Sequence, residues 1–271
     1  MSFYSQEFTH LSVLLKNHVL WVTLHNPEQS NAISLEMVDS LVRVLKFADF
    51  DPEVRVIVLK GEGTSFCAGG DIKAMQNKTG MFAGESNELR MRYIHGIQQI
   101  PKCIEELSTP VVAMVNGPAI GAGCDLAMMC DLRIGSAKSK FGETFVKLGL
   151  VPGDGGTFFL QRIIGYSKAM QMSLTGDLVS GEEALKWGLL NYLVDEASLE
   201  AETEMLASRI AANPPVAVQM TKKAMKMAYL NDLSTILDVS AAYQGITQRT
   251  EDHFLALQAM KDKKSVDYQG R

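Results

Sequence analysis

The chain has 271 residues, of which 46% are hydrophobic and 21% charged, with a formal net charge of −5. That length buries a sizeable core, as one large domain plus an appendage or as two small domains, and an acidic balance without blocks of like charge leaves no electrostatic footprint for nucleic acid. Four cysteines (Cys67, Cys103, Cys124, Cys130) form no C-x-x-C pair and no spaced set with the five histidines, and no apolar run approaches the ~20 residues needed to cross a bilayer, so neither a zinc site nor a membrane span is expected.

In chain order, the opening "MSFYSQEFTHLSVLL" lacks the cationic start and apolar stretch of a signal peptide, and a cytoplasmic setting is expected. "LSVLLKNHVLWVTL" holds two β-rich runs around Lys16, Asn17 and His18 and reads as a hairpin. Ser34 then caps a helix whose Leu35, Val38, Leu41, Val42 and Leu45 recur at helical spacing, and "VRVIVL" is a short buried strand. A glycine-bearing loop spans Gly61 to Asp71, a helix is expected from about Glu85 to Leu107, and the strand "VVAMVN" follows Pro110. "LRIGS" and "NYLV" supply further strands, with short helices starting near Thr157, Ser167 and Ser180. From Leu199 strand signals vanish, amphipathic helices run almost to Val266, and Pro214 and Pro215 open the second of them. The expected organisation is α/β, with a body over 1–198 and a helical region over 199–271 whose Met220, Ala224, Met227 and Ala228 share a face suited to a core or a subunit contact. A weak ββα recurrence in the first half hints at a spiral stack.

Two strand-to-loop transitions look alike: "VIVLKGEGTSFCAGGDIKAM" and "VVAMVNGPAIGAGCDLAMM". Each ends its loop in glycine plus a small residue (Gly69-Gly70, Gly121-Ala122), followed by an aspartate and an apolar helix. Amides at a helix start have no internal partner and carry the positive end of the dipole, so small side chains there let an anionic oxygen approach. One such loop is as well explained by an ordinary turn with Asp125 as a capping residue; two together suggest a pair of donors for an oxyanion, with Asp125 as acid, base or orienter of the neighbouring atom. A third turn, "FGETFVKLGLVPGDGGTFFLQRIIG", carries Asp154, with Glu143 and Asp177 the remaining carboxylates nearby; taken alone, "GDGG" is a common turn. No phosphate loop, dinucleotide fingerprint or nucleophile elbow is present, and the scattered histidines suggest no triad.

These segments, in this order, resemble the enoyl-CoA hydratase/isomerase (crotonase) superfamily from about Leu11 to about Tyr268, through "NAIS", "SFCAGGDIKAM", "NGPAIGAGCDLAMMCDLRI", "FGE...LGLVPGDGGT" and "EDHFLALQAMKDKK". The resemblance implies a ββα spiral body, a C-terminal helical region that builds a homotrimer or a dimer of trimers, and an acyl-CoA thioester as substrate, with coenzyme A as part of that substrate and no separate cofactor or metal. It also implies that the Gly70 and Ala122 amides hold the thioester oxygen and that coenzyme A lies along Asn31, Ala32, Ala68, Asp71 and Ile72, mostly through backbone contacts. Where relatives often carry a basic residue before the Asn-Ala pair, this chain has Glu28, Gln29 and Ser30, which passes phosphate binding to Lys73, Lys263 or Lys264.

Typical hydratases of this family pair two glutamates. Here the first position is Asp125 and the second is Phe145, whose phenyl ring cannot shuttle a proton. The second carboxylate must then be Glu143 or Asp154. An isomerase needs only one base to move a proton between two carbons, whereas hydration must also activate water, so the expectation tilts toward isomerisation or a specialised hydration. The contrasting readings are a non-catalytic acyl-CoA binder in which Phe145 closes the pocket, and hydrolase or lyase chemistry on a specialised acyl-CoA.

Overall fold

The structure, a computed structural model of the chain, describes residues 3–271. Strands β1 (Leu11–Lys16) and β2 (Val19–Leu24) pair antiparallel in the expected hairpin, whose turn residues Asn17 and His18 both have positive φ (51° and 62°), the twist that a tight hairpin needs. The Ser34 side chain accepts from the Met37 amide and opens α1 (Leu35–Phe50), which buries Val38, Leu41, Val44, Leu45 and Ala48 on one stripe. β3 (Val56–Gly61) lies parallel to β2, and Asp71 caps α2 (Ile72–Asn77) by accepting from the Lys73 and Ala74 amides.

The single helix expected over Glu85 to Leu107 is two: α3 (Ser86–His95) and α4 (Gln99–Glu106), parted at Gly96. The break follows from Pro101, which has no amide for a helix running through it and whose ring would crowd the preceding turn; restarting at Gln99 puts Pro101 in a first turn, where both problems disappear.

After α4 come β4 (Val111–Val115), β5 (Pro118–Ile120), α5 (Ala122–Met129), β6 (Leu132–Gly135) and β7 (Lys140–Gly142). They are followed by α6 (Gly156–Thr175), which is kinked at Gly165, where the backbone is non-helical, and so is two helices end to end, then β8 (Val179–Ser180), α7 (Gly181–Trp187) and β9 (Tyr192–Leu193). The larger sheet has the order β1-β2-β3-β4-β6-β9, parallel except for the opening hairpin. The smaller sheet, β5-β7-β8, is extended by bridges from Cys67 to Ala119 and from Ile33 to Gly70. Each turn of the chain thus gives one strand to the large sheet, one short extended piece toward the small sheet, and then a helix, which is the ββα spiral.

Side chains alternate across β2. Leu20, Val22 and Leu24 enter the main core with α1, whereas Val19 and Trp21 face a second apolar layer formed with α8 (Leu199–Ala211) through Leu199, Leu206 and Ala207. By its contacts α8 therefore covers the body's sheet, although it lies beyond residue 198. The helices that follow, α9 (Pro215–Ala228), α10 (Leu233–Thr247) and α11 (Glu251–Asp262), bury little apolar surface within the chain and leave Leu233, Leu237, Phe254 and Met260 exposed. α9 is held to the body by polar contacts: the buried Lys222 ammonium pairs with Asp131 at 2.7 Å and donates to the Thr109 carbonyl. Among the described residues no helix is long and apolar enough to cross a membrane.

Candidate active site

β3 and β4 are parallel neighbours, so the loops leaving them emerge at the same end of the sheet, where open α/β sheets place their ligands. The two loops are laced together by their own backbones. The Phe66 and Cys67 amides both donate to the Pro118 carbonyl at 3.1 Å, and the Ile120 amide donates to the Cys67 carbonyl at 2.9 Å. Such close approach explains the glycines. Gly69 has φ 87°, and a Cβ on Gly123 would collide with the Cys67 carbonyl.

Two asparagines, Asn31, expected only along coenzyme A, and Asn116, for which no role was expected, tie the first loop down. Asn31 donates to the Glu62 and Ser65 carbonyls at 2.9 Å each and accepts from the Asn26 amide, while Asn116 accepts from the Gly61 amide and donates to the Gly63 carbonyl. The only local signal for this was Asn31's place within "QSNAIS"; the carbonyls it donates to lie more than 30 residues away. Within this frame the amides of Gly70 and Ala122 donate to no group among the described residues. Ala122 is the first residue of α5, whose opening amides have no intrahelical acceptor. The point a Cβ on Gly69 would occupy is 3.2 Å from the Ala122 nitrogen, so the two turns touch.

Three carboxylates gather behind these turns. Asp125 sits in the first turn of α5, Glu143 follows β7, and Asp154 stands on the turn leading into α6; all are buried. Gly156 is the hinge of the cluster, because the place its Cβ would take lies against Asp125 Oδ1 and 3.0 Å from Glu143 Oε2. Among the described residues none of the three is in an ion pair, and neither oxygen of Asp125 or Glu143, nor Asp154 Oδ1, has a well-formed hydrogen bond. Burial pushes Asp125 well above the carboxylate range, and the Glu143 charge adds to it, with the nearby Gly156 amide opposing weakly. Burial likewise raises Glu143. Asp154 is pushed up to about 7, first by burial and then by the Asp125 charge. Three acids without a cation cannot all ionise at neutral pH, so the cluster holds protons.

A cavity of ≈ 570 Å³ opens beside the Gly70 turn, walled by Ile72, Met75, Phe82, Leu89, Leu148 and Leu150, with Tyr93 among its lining residues. A Cβ on Gly70 would meet Met75 and Phe82, so the cavity and the free amide adjoin. The Tyr93 ring packs on Gly153, whose carbonyl accepts from Gln98 at 2.9 Å, and this fixes the end of α3 to the turn bearing Asp154. Phe145 is half-buried, with its ring edge 3.7 Å from where a Cβ on Gly121 would lie.

The fold therefore brings Gly70, Ala122, Asp125, Glu143 and Asp154 to one place. Glu143 faces Asp125 across Gly156. Asp177 is not part of the cluster: it is exposed and pairs with Lys147 at 3.6 Å. Of the residues expected along coenzyme A, Asn31 and Asp71 have their side chains engaged, on the loop and as a helix cap, and Ala32 is buried, so contacts there fall to backbone groups as expected of this site. Ala68 and Ile72 are exposed at the mouth. Lys263 and Lys264 are not brought to the cluster within this chain: the segment after them packs through Tyr268 and Asp267 onto Arg55, at the entry end of β3, whereas the Gly61–Asp71 loop leaves from the other end. Among the described residues no group of His, Cys, Asp and Glu is arranged to hold a metal ion.

Comparison with known proteins bears on the same stretch. A family model described as enoyl-CoA hydratase/isomerase matches residues 15–271. The chain is 33% identical to the 1,2-epoxyphenylacetyl-CoA isomerase of Escherichia coli over 93% of its own length and 95% of that protein's. It is 33% identical to the crotonyl-CoA hydratase of Syntrophomonas wolfei over 90% of its length and 92% of that protein's. The crystal structure of an enoyl-CoA hydratase from Bacillus anthracis superposes with a TM-score of 0.91 at 32% identity, covering 97% of this chain and 100% of that one.

Proposed function

The chain belongs to the enoyl-CoA hydratase/isomerase family, and from that premise we propose that it moves the double bond of an enoyl-CoA with Asp154 as the proton carrier. The thioester oxygen sits between the Gly70 and Ala122 amides. As the C–H bond beside the thioester or the double bond breaks, the proton passes to the Asp154 carboxylate and the electron pair delocalises onto that oxygen as an enolate. The same carboxyl then returns the proton to the other end of the system, and the mass is unchanged. Each amide donor aimed at the developing oxyanion contributes about 3 to 4 kcal/mol.

The observation that carries this reading is a single carboxylate poised near neutrality, Asp154 at about 7, while Phe145 occupies the place of a second glutamate. A base with a pKa near the working pH combines a useful ionised fraction with adequate basicity. Asp125 and Glu143, also raised by burial and facing each other, act as a proton-sharing pair that sets the field around Asp154. Oligomerisation as a homotrimer or dimer of trimers is part of the proposal, supported by the apolar faces that α10 and α11 leave uncovered. Lys263 and Lys264 would then meet coenzyme A phosphates only from a neighbouring copy. The unpaired state of all four cysteines supports a reducing, cytoplasmic setting.

The test is an assay of matched 2-enoyl-CoA and 3-enoyl-CoA substrates with the wild type, Asp154→Asn and Asp125→Asn, with products weighed by mass spectrometry. Conversion without mass change that is lost in Asp154→Asn supports isomerisation; a gain of one water points to hydration; tight acyl-CoA binding without turnover makes the chain a binder. Full activity in Asp154→Asn removes that residue from the mechanism.

A further inference from the structure

The cavity at the Gly70 turn constrains the acyl group, given the enoyl-CoA reading above. At ≈ 570 Å³ it is in the size range that encloses drug-sized molecules, and a four-carbon acyl group would leave most of its apolar wall unfilled. Ile72, Leu148 and Leu150 are 46%, 51% and 39% exposed, so the wall offers apolar surface for a ligand to cover. The polar lining residues Gln76, Lys78, Glu85 and Ser86 are exposed and form a rim open to water.

Tyr93 differs from these. It is half-buried, its ring is fixed on Gly153, and its hydroxyl makes no hydrogen bond with any described residue. That hydroxyl is not sealed from solvent, so a ligand that covers it must offer a polar atom in place of water. Asp154 is near enough for its charge to act on that hydroxyl, which sets Tyr93 at the catalytic end of the cavity. Phe145, at the neighbouring turn, supplies no polar group to compete with it.

We propose that this cavity takes an acyl chain of about six or more carbons that carries an oxygen, and that the Tyr93 hydroxyl hydrogen-bonds that oxygen as the specificity-determining contact. The enzyme would then act on oxygenated medium-length acyl-CoA thioesters in preference to crotonyl-sized ones.

The test uses 3-enoyl-CoA substrates of six, eight and ten carbons, each with and without a hydroxyl on carbon 6, alongside the four-carbon member, on the wild type and Tyr93→Phe. Binding of the corresponding saturated acyl-CoAs is followed by calorimetry, so the preference is read independently of turnover. Tyr93→Phe keeps the ring on Gly153, and thermal melting checks its fold. The expected result is that the hydroxylated partner is favoured about tenfold in kcat/KM at one of these lengths, the scale of one hydrogen bond, and that the ratio falls to near one in Tyr93→Phe. A best substrate of four carbons, no hydroxyl preference at any length, or an unchanged ratio in Tyr93→Phe overturns the inference. If a hydroxyl preference appears in binding without turnover, the cavity assignment stands and the isomerase reading fails; turnover without the preference has the opposite meaning.

Discussion

Asp154→Asn should raise stability while abolishing turnover, and the rise should depend on pH. An aspartate in an unfolded chain titrates near 3.9, whereas Asp154 in the fold is held at about 7. Between those values the unfolded chain has released the proton and the folded chain has not. The folded state then binds more protons, so stability falls as pH rises, by about 1.4 kcal/mol per unit. Integrated over this window, the buried acid costs about 1.5 kcal/mol at pH 5 and about 4 kcal/mol at pH 7.5, and above the folded pKa the loss levels off. Asparagine has the same shape and no titration, so its stabilising effect should be about 2.5 kcal/mol larger at pH 7.5 than at pH 5. For a chain of this size that corresponds to roughly 4–5 °C more gain in Tm at the higher pH. Thermal unfolding of both proteins at the two pH values, followed by circular dichroism, measures it. In parallel kcat should fall about 10²- to 10⁴-fold, the usual worth of a positioned acid or base. An equal Tm change at both pH values would mean that Asp154 is not held protonated by its surroundings, and retained turnover would mean that it moves no proton.

Three further outcomes follow from the same geometry. Gly123→Ala should lower stability by about 1 kcal/mol or more and reduce activity, although alanine is normally the better helix former, because its Cβ meets the Cys67 carbonyl and pushes the two loops apart; urea titration with an activity assay reads both. Asn31→Ala should cost about 3 kcal/mol in urea unfolding, since it leaves the Glu62 and Ser65 carbonyls and the Asn26 amide without their partner. The native protein should resist a thiol-specific dye at pH 8 and react at all four cysteines once unfolded: burial pushes the Cys67 and Cys130 thiols up to about 12 and Cys103 to about 11, and raises Cys124 further still. Rapid labelling in the folded state would contradict that burial.

What the sequence determined by itself was whatever depends on near neighbours. Asn17 and His18 at the hairpin, Ser34 as a cap, Pro215 at a helix start and the repeated strand, glycine, aspartate, helix order of the two loops are all readable because turn and cap geometry involve residues a few positions apart. The same locality misled at Glu85 to Leu107, where apolar spacing continued through a segment that Pro101 would not let run as one helix. The chemical state of the candidate site was not readable in this way. Asp125, Glu143 and Asp154 come from three elements, and only their burial around Gly156 without a counter-ion makes them hold protons. Likewise, only the packed chain turns Asn31 inward onto the first loop, stands Tyr93 against Gly153 and keeps Lys263 and Lys264 away from the cluster. Protonation and reach depend on distance and solvent exclusion between residues far apart along the chain, and those quantities exist only once it has folded.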